Sequence, residues 1–474
     1  MKKRSFTIDS LVLISSFIIV AQLLSYVISH GEFDREPSPN QPDRMMVVAG
    51  TFAPVSDVDA VTLPPWHFLM ALTKGLADAQ DIIFLIFLVG GVIEVLRRSG
   101  AIDAALHRAV AHLGHSPWIL ILGCFAMFAA GSYTIGMGEE YVPLIPIIVT
   151  MSLAMRMDAV VAMGMVWVPY GIGWGCAGIN PFGVMIAQTI AGVPLTSGWE
   201  ARIVMMVAFL AIGFHHLIRY AHMVQKDPSK SFVAHVDYSE GFETPGDIDL
   251  TGSRIAILVV FILGLFAFVY GASNHHWFIA ELNAIFLAIG ILAALISRIP
   301  AGETSRVFLE GCAKMTAPAL IVGFARTIAV VLEDGQIIDT IVFSIAGLLE
   351  GMPPEVSAVG MLVVQTVTNF FIPSGSGQAF VTMPIMSPLA TLTDVPQQTA
   401  VLAYQFGDGF TNMIVPTSAL VMGALALGRV PYTAWVRFVG PLLIKIFALA
   451  VVFLVLSIHI GDAVGFTSTL AGTR

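Results

Sequence analysis

Two adjacent carboxylates, Glu139 and Glu140, interrupt an apolar stretch, "GSYTIGMGEEYVPLIP" (131–146), with "PWILILGCFAMFAA" before it and "IIVTMSLAM" after it. A charge at bilayer depth costs about 2.5–3.5 kcal/mol on insertion scales, so the pair needs a reason to be there. Two readings are open. Carboxylates at a helix start complement its dipole and accept from free N–H groups. The functional reading is that one of them takes a proton, a cation or a substrate amino group. Burial beside a like charge favours the protonated carboxyl, which suits a site that loads and releases protons.

Three further groups share this setting. Asp408 lies between Gly407 and Gly409 in a greasy run, with Thr411 and Asn412 one turn on; few structural roles ask for an acid there. Asn180-Pro181 reads as a cap and the first residue of a half-helix, whose free N–H groups would also suit a carboxylate. Ser374, Gly375, Ser376, Gly377 and Gln378 form a tip of small and polar residues. There Gly permits close backbone approach and Ser or Gln caps the following arm, so a plain turn and a binding tip both remain open. Arg326, mid-run in "LIVGFARTIAVVL", pairs with an acid or meets an anionic substrate, and pairing fits its place outside these segments better. Glu94 and Asp81 sit near span ends, and the histidines of "HLGHSP" and "SNHHW" read as interfacial or loop residues.

These groups need a membrane fold to hold them. The chain of 474 residues is 57% hydrophobic and only 12% charged, with a mean hydropathy of +0.84; soluble domains carry roughly 25% charged residues. A net charge of −9 argues against a nucleic-acid partner. Cys124, Cys176 and Cys312 have no ligand spacing, which argues against a disulfide framework or a zinc site. "MKKRSF" before the run Leu11 to Ile28 reads as a retained first helix with its basic end in the cytoplasm. Spans are expected at 82–96, 203–218, 255–272, 278–296, 317–332 and 439–460. Basic clusters at Arg97 and Arg98, Arg219 to Lys230, and Arg298 to Lys314 fall on alternate loops, giving the N-terminus inside and the C-terminus outside.

Two regions do not read as plain spans. "PWILILGCFAMFAA", about 14 residues, and the arm ending at Arg156 are too short to cross a core that needs ~20. Together they suggest a re-entrant hairpin, 117–157, whose tip holds Gly138, Glu139 and Glu140. "VSAVGMLVVQTVTNFF" and "AFVTMPIMSPLATL" repeat the shape around "IPSGSGQ" (hairpin 353–393), with acidic flanks that point it outward. Each hairpin precedes an interrupted helix, 158–193 and 397–428, rich in Gly and Pro. Non-helical backbone survives at this depth only where it is buried or lines a cavity. "GAID" (100–103) matches "GQIID" (335–339), Pro146 matches Pro384, and "VPLTSGW" (193–199) matches "VPYTAW" (430–435), all at an offset of 235 to 238. Paired interrupted segments in two halves point to a transporter site.

The expected fold is therefore an all-α polytopic membrane protein of two inverted repeats. Residues 1–29 form the first helix and 30–66 an external loop. Repeat 1 covers 67–222, a polar linker 223–253, repeat 2 254–460 and a tail 461–474.

"GMGEEYVPLIPI", "GINPF", "IPSGSGQAFVTMP" and "DGFTNMIVPTSA" resemble the YfcC-like and anaerobic C4-dicarboxylate carrier family of the ion transporter superfamily. The resemblance covers nearly the whole chain, including "GEFDRE" at 31–36. It implies a homodimer in the bacterial inner membrane, with a scaffold domain and a mobile transport domain working by an elevator motion. It also implies that hairpin tips and helix breaks hold substrate and coupling ion. Sodium-coupled relatives in the superfamily carry Ser-Asn-Thr at the tips, where this chain has "GMGEE" and "PSGSGQ", so sodium coupling does not carry over.

The reading at this stage is a secondary active transporter for a small carboxylate-bearing metabolite, a C4-dicarboxylate or related organic anion. Coupling is to a proton or sodium gradient, or by exchange, and no cofactor is expected. Three acids without a clear basic residue also suit an amino acid, even a basic one. A channel has no need of two inverted hairpins each paired with a broken helix, and an enzyme would need a nucleophile–base or metal spacing that is missing. The expected site is Gly138, Glu139, Glu140, Asn180, Pro181, Ser374, Gly375, Ser376, Gln378, Asp408, Thr411 and Asn412, with a sodium site at the same tips and breaks left open.

Overall fold

The computed structural model describes residues 10–38, 41–48, 50–55, 62–105, 108, 117–134, 136–180, 182–238, 249–275, 277, 279–349, 351–461, 463 and 466. The basic "MKKRSF", the histidines of "HLGHS", Pro181, the middle of the linker and the tail beyond 466 lie outside the described residues.

The described chain is mostly helical, and one order of elements occurs twice. The first half runs from helices His67–Asp78 and Gln80–Arg98, bent by 61°, to two hairpin arms, Pro117–Thr134 and Ile145–Ala154. An interrupted helix, Ala159–Gly175 then Val184–Ile190, and a long helix Trp199–Lys226 follow. The second half has Ala301–Lys314 and Thr316–Asp334, a short helix Ile338–Gly347, and arms Pro354–Phe371 and Gly375–Leu392. It closes with the interrupted helix Gln397–Thr411 then Ala419–Leu427, and the long helix Tyr432–Ile460. Backbone detail follows suit. Arg156 (φ 59°) and Asp394 (φ 53°) end the hairpins, and Gly192 (φ 65°) and Arg429 (φ 50°) end the interrupted helices, all in the left-handed conformation that stops a helix.

Local sequence explains the breaks. Pro143 and Pro146 lack the N–H an α-helical ladder needs, so the chain passes from Gly138 through a 3-10 turn, Glu139–Leu144, before the second arm begins. Asp158 starts the first interrupted helix by accepting from Val161 N at 2.9 Å. The two interrupted helices cross at glycine: a Cβ at Gly409 would collide with the backbone of Gly175. That crossing fills the core, where residues from 159 to 173 and from 398 to 411 are buried.

By length and composition, Pro117–Thr134, Trp199–Lys226, Ile279–Ile296 and Tyr432–Ile460 are long and apolar enough to cross a membrane. Counting each bent pair as one span raises this to six among the described residues. The first hairpin arm is longer than its apolar core suggests, 18 residues rather than about 14. "GSYT" continues the helix because its polar groups find partners: Tyr133 donates to Trp199 O at 2.7 Å, and Ser132 to Met137 O at 2.9 Å.

Two stretches read as loop or tether carry structure, so the chain is not purely helical. Gly31–Glu32 pairs with Ala53–Pro54, and Arg35–Ser38 with Gln41–Val47, both antiparallel. This strap grips the second half. Arg35 Nη2 lies 2.8 Å from both oxygens of the buried Asp339, Phe33 N donates to Asp339 at 3.0 Å, and Phe52 stacks on Phe343 at 4.1 Å. The start of the linker also docks. Ser231 and Tyr220 donate to Asp158 at 2.6 and 2.7 Å, and Arg437 covers the Phe232 ring at 4.4 Å. Arg326 does pair, lying 3.5 Å from both Asp78 and Glu333, and Glu94 meets Lys314 at 2.9 Å.

Candidate functional site

Both hairpin tips and both helix breaks reach one cavity of about 420 Å³. The first tip contributes Gly136 and Glu139, the second Ser374, Gly375 and Ser376. The breaks contribute Tyr170, Trp174 and Phe182 on one side, and Asn412, Ser418, Ala419 and Leu420 on the other. Ile82 and Trp277, from outside these segments, complete the wall.

At the first tip the adjacent glutamates diverge. Glu140 turns back and accepts from Gly138 N at 2.7 Å, closing the tip on itself. Glu139 faces the cavity. Gly136 (φ 72°) lets the tip lie against the break: a Cβ there would stand 2.6 Å from Asn180 Oδ1. Asn180 ties the two together, donating to Ser132 O at 3.3 Å and accepting from Phe182 N at 2.8 Å. The half-helix after it starts at Val184 with Gly183 at the cap. Asn180 thus closes a turn ahead of the helix rather than capping it, because its carbonyl is spent on Phe182. Pro181 lies outside the described residues.

The second tip is built differently. Ser374 Oγ accepts from Gly377 N at 3.3 Å and caps a regular helix. Gln378 points inward, away from the cavity, donating to Gln365 O and Oε1 at 2.9 and 2.7 Å. Tyr404 OH donates to Gly375 O at 2.6 Å, pinning the tip to the second interrupted helix. At this start and at Ala419 the first-turn amides have no intrahelical acceptor, and both starts lie on the cavity.

Asp408 is fully buried and does not line the cavity. Trp174 Nε1 donates to its Oδ2 at 2.6 Å, and Asn412 Nδ2 to its Oδ1 at 3.1 Å. Asn369 Nδ2 sits among three oxygens: Asp408 O at 3.1 Å, Thr411 Oγ1 at 2.7 Å and Asn412 Oδ1 at 2.9 Å. A cation at this break would have to replace that amide. No group of three or more His, Cys, Asp and Glu side chains is placed to hold a metal among the described residues.

Of the twelve residues singled out in the sequence, Glu139, Ser374, Gly375, Ser376 and Asn412 line the cavity. Gly138, Glu140, Asn180, Gln378, Asp408 and Thr411 stand behind them. Tyr170, Trp174 and Ser418 also line the cavity and Asn369 bonds the second break, and none of the four stood out in the sequence. Inside apolar runs an aromatic or a lone amide reads as core, although Trp174 does fall among the break's glycines.

The family follows from comparison with known proteins. The family model for the C4-dicarboxylate anaerobic carrier, DcuC, matches residues 8–459. The chain belongs to that family. It is 31% identical over 480 aligned residues to YfcC of Escherichia coli K12, named provisionally as a basic amino acid antiporter, covering 93% of this chain and 94% of that one. It is also 31% identical to a Haemophilus influenzae protein without an assigned activity, over 79% of this chain and 74% of the relative. Among solved structures it aligns with the YdaH transporter of Alcanivorax borkumensis (TM-score 0.42, 16% identity, 97% of this chain and 100% of that one). It also aligns with MtrF of Neisseria gonorrhoeae (TM-score 0.38, 18% identity, 95% of each). Likenesses at those TM-scores carry no weight for this chain's mechanism. Membership of a carrier family makes this a membrane transport protein.

Proposed function

We propose that this carrier is a secondary active transporter of a small carboxylate-bearing metabolite, with the shared cavity as its substrate site. The observation that carries the reading is the convergence of two tips and two breaks on one space. At the helix starts at Gly375 and Ala419 one amide is capped by Ser374 or Ser418, and the other first-turn amides, lacking intrahelical acceptors, suit a carboxylate. Glu139 stands in the same space as a seat for a cationic group.

That pairing favours one substrate class over the other. No Lys, Arg or His is among the described residues lining the cavity. A C4-dicarboxylate would bring two charges to a space with one carboxylate and no fixed cation, whereas an amino acid offers one group to each seat. The amino acid, including a basic one, is therefore the better fit, and the name given to YfcC agrees with it. A dicarboxylate remains the second reading, on the family's description.

The doubled element order and its matched left-handed turns support two repeats, and their inversion belongs to the same proposal. The short second arm of the first hairpin supports a re-entrant one. An elevator motion, a homodimer, an inner-membrane location with the N-terminus inside, and coupling to protons, sodium or exchange belong to the same proposal. The test is uptake into proteoliposomes of succinate, arginine, a neutral amino acid and a short-chain acid, with and without sodium, at two pH values. Saturable uptake of an amino acid is expected. Saturable succinate uptake alone would move the substrate to the dicarboxylates, and unsaturable flux at channel rates would overturn the transporter.

A further inference from the structure

The acid in the second break is cut off from the cavity by one side chain. Trp174 lies in the last turn of the first interrupted helix, half-buried, with part of its surface on the cavity. Its indole N–H is bonded to Asp408 Oδ2 at 2.6 Å, across the crossing of the two interrupted helices. Behind it Asp408 has no exposed surface. From the other side the second tip closes the gap: a Cβ on Gly375 would lie 2.8 Å from Trp174 Cζ2 and 3.0 Å from Asp408 Oδ2. Asp408 is thus held by the neutral donors Trp174 and Asn412, while Glu139 already faces the open space.

We propose that Trp174 is the positioning residue that orients Asp408 and screens it from the cavity, so that the two acids are reached in order: Glu139 directly, Asp408 only when the indole leaves. This rests on the transporter reading for its meaning, but not for its test. An indole does both jobs because its ring is broad enough to form a wall and its N–H supplies the bond. Phenylalanine keeps most of the wall and loses the bond, and alanine loses both.

Dicyclohexylcarbodiimide, an apolar reagent that adds to carboxyl groups, reads this out on the full-length protein in lipid, with the modified residues found by peptide mass mapping. Asp408→Asn serves as the mapping control. In the wild type, Glu139 should be modified and Asp408 spared. In Trp174→Phe, Asp408 should react about tenfold faster, the order of factor that one hydrogen bond to a charged group holds, and in Trp174→Ala faster still. Equal modification of Asp408 in wild type and both variants overturns the proposal, as does no modification of it in any of the three.

A double-mutant cycle separates positioning from packing. In uptake of arginine or succinate, Trp174→Phe should cost rate in the wild-type background and nothing further in Asp408→Asn, whereas full additivity contradicts positioning. Trp174→Phe keeps one aromatic ring in the wall, so it tests the idea even if Trp174→Ala fails to fold. A wild type that takes up neither probe would count against the transporter reading and leave the labelling result standing.

Discussion

The two hairpin tips occupy matching places in the order of elements and are built differently. The first has no side-chain cap. Its 3-10 turn is held by Glu140 folding back on Gly138 N, which leaves Glu139 to present a carboxylate to the cavity. The second is capped by Ser374 through Gly377 N, starts a helix of 18 residues, and presents hydroxyls and the amides of its first turn instead. On the proposed reading the two tips are complementary: the first presents a carboxylate, and the second presents hydroxyls and helix-start amides of the kind that suit an anion. The asymmetry extends outward. Strand Gln41–Val47 of the strap packs against the second hairpin arm, and a second cavity of about 510 Å³ lies between strap and hairpin, lined by Arg35, Met45 and Gly377. The second tip therefore stands between two spaces.

Substitutions can break or sharpen this contrast. The largest effect is expected at Asp408→Asn, which keeps the shape and removes the charge between the halves. Uptake in proteoliposomes should fall strongly, as for an ionisable group with a role at membrane depth, with expression near wild type. Wild-type rates would remove Asp408 from the mechanism. Next comes Gly375→Ala, whose Cβ would press on Trp174 and Asp408. Overpacking of this kind costs about 1–3 kcal/mol, so a lower thermal midpoint together with a strong loss of uptake is expected, and an unchanged midpoint would show that the second tip is looser than drawn. The smallest is Ser374→Ala, which removes one helix cap worth about 1 kcal/mol. A small drop in thermal midpoint and a modest rise in KM are expected, and abolished transport would make Ser374 a binding residue rather than a cap.

Much of the architecture was legible in the sequence because the bilayer permits few signals. Long apolar runs, short runs around Gly-rich tips, and Gly and Pro inside spans each have one physical meaning at that depth. Acids there stand out for the same reason, so Glu139, which lines the cavity, and Asp408, which is buried behind it, draw attention from sequence alone. What sequence could not separate was Glu139 from Glu140. Their divergence depends on a turn whose geometry is set by Pro143 and Pro146 further on. Nor could it show that Asn369 and Trp174 are the partners of the second break, since their bonds span 42 and 234 residues. The strap looked like a loop because proline and acids argue against strands, and its strand pairing and its grip on Asp339, Phe343 and Gln336 give it structure.

The account turns on Glu139 facing the substrate while Glu140 only shapes the tip. Side-by-side uptake of arginine and succinate by wild type, Glu139→Gln and Glu140→Gln tests this most directly. Glu139→Gln should lose saturable arginine uptake, while Glu140→Gln should keep the KM and lose thermal stability, since the Gly138 N–H then meets a neutral acceptor. Wild-type kinetics in Glu139→Gln would contradict the account.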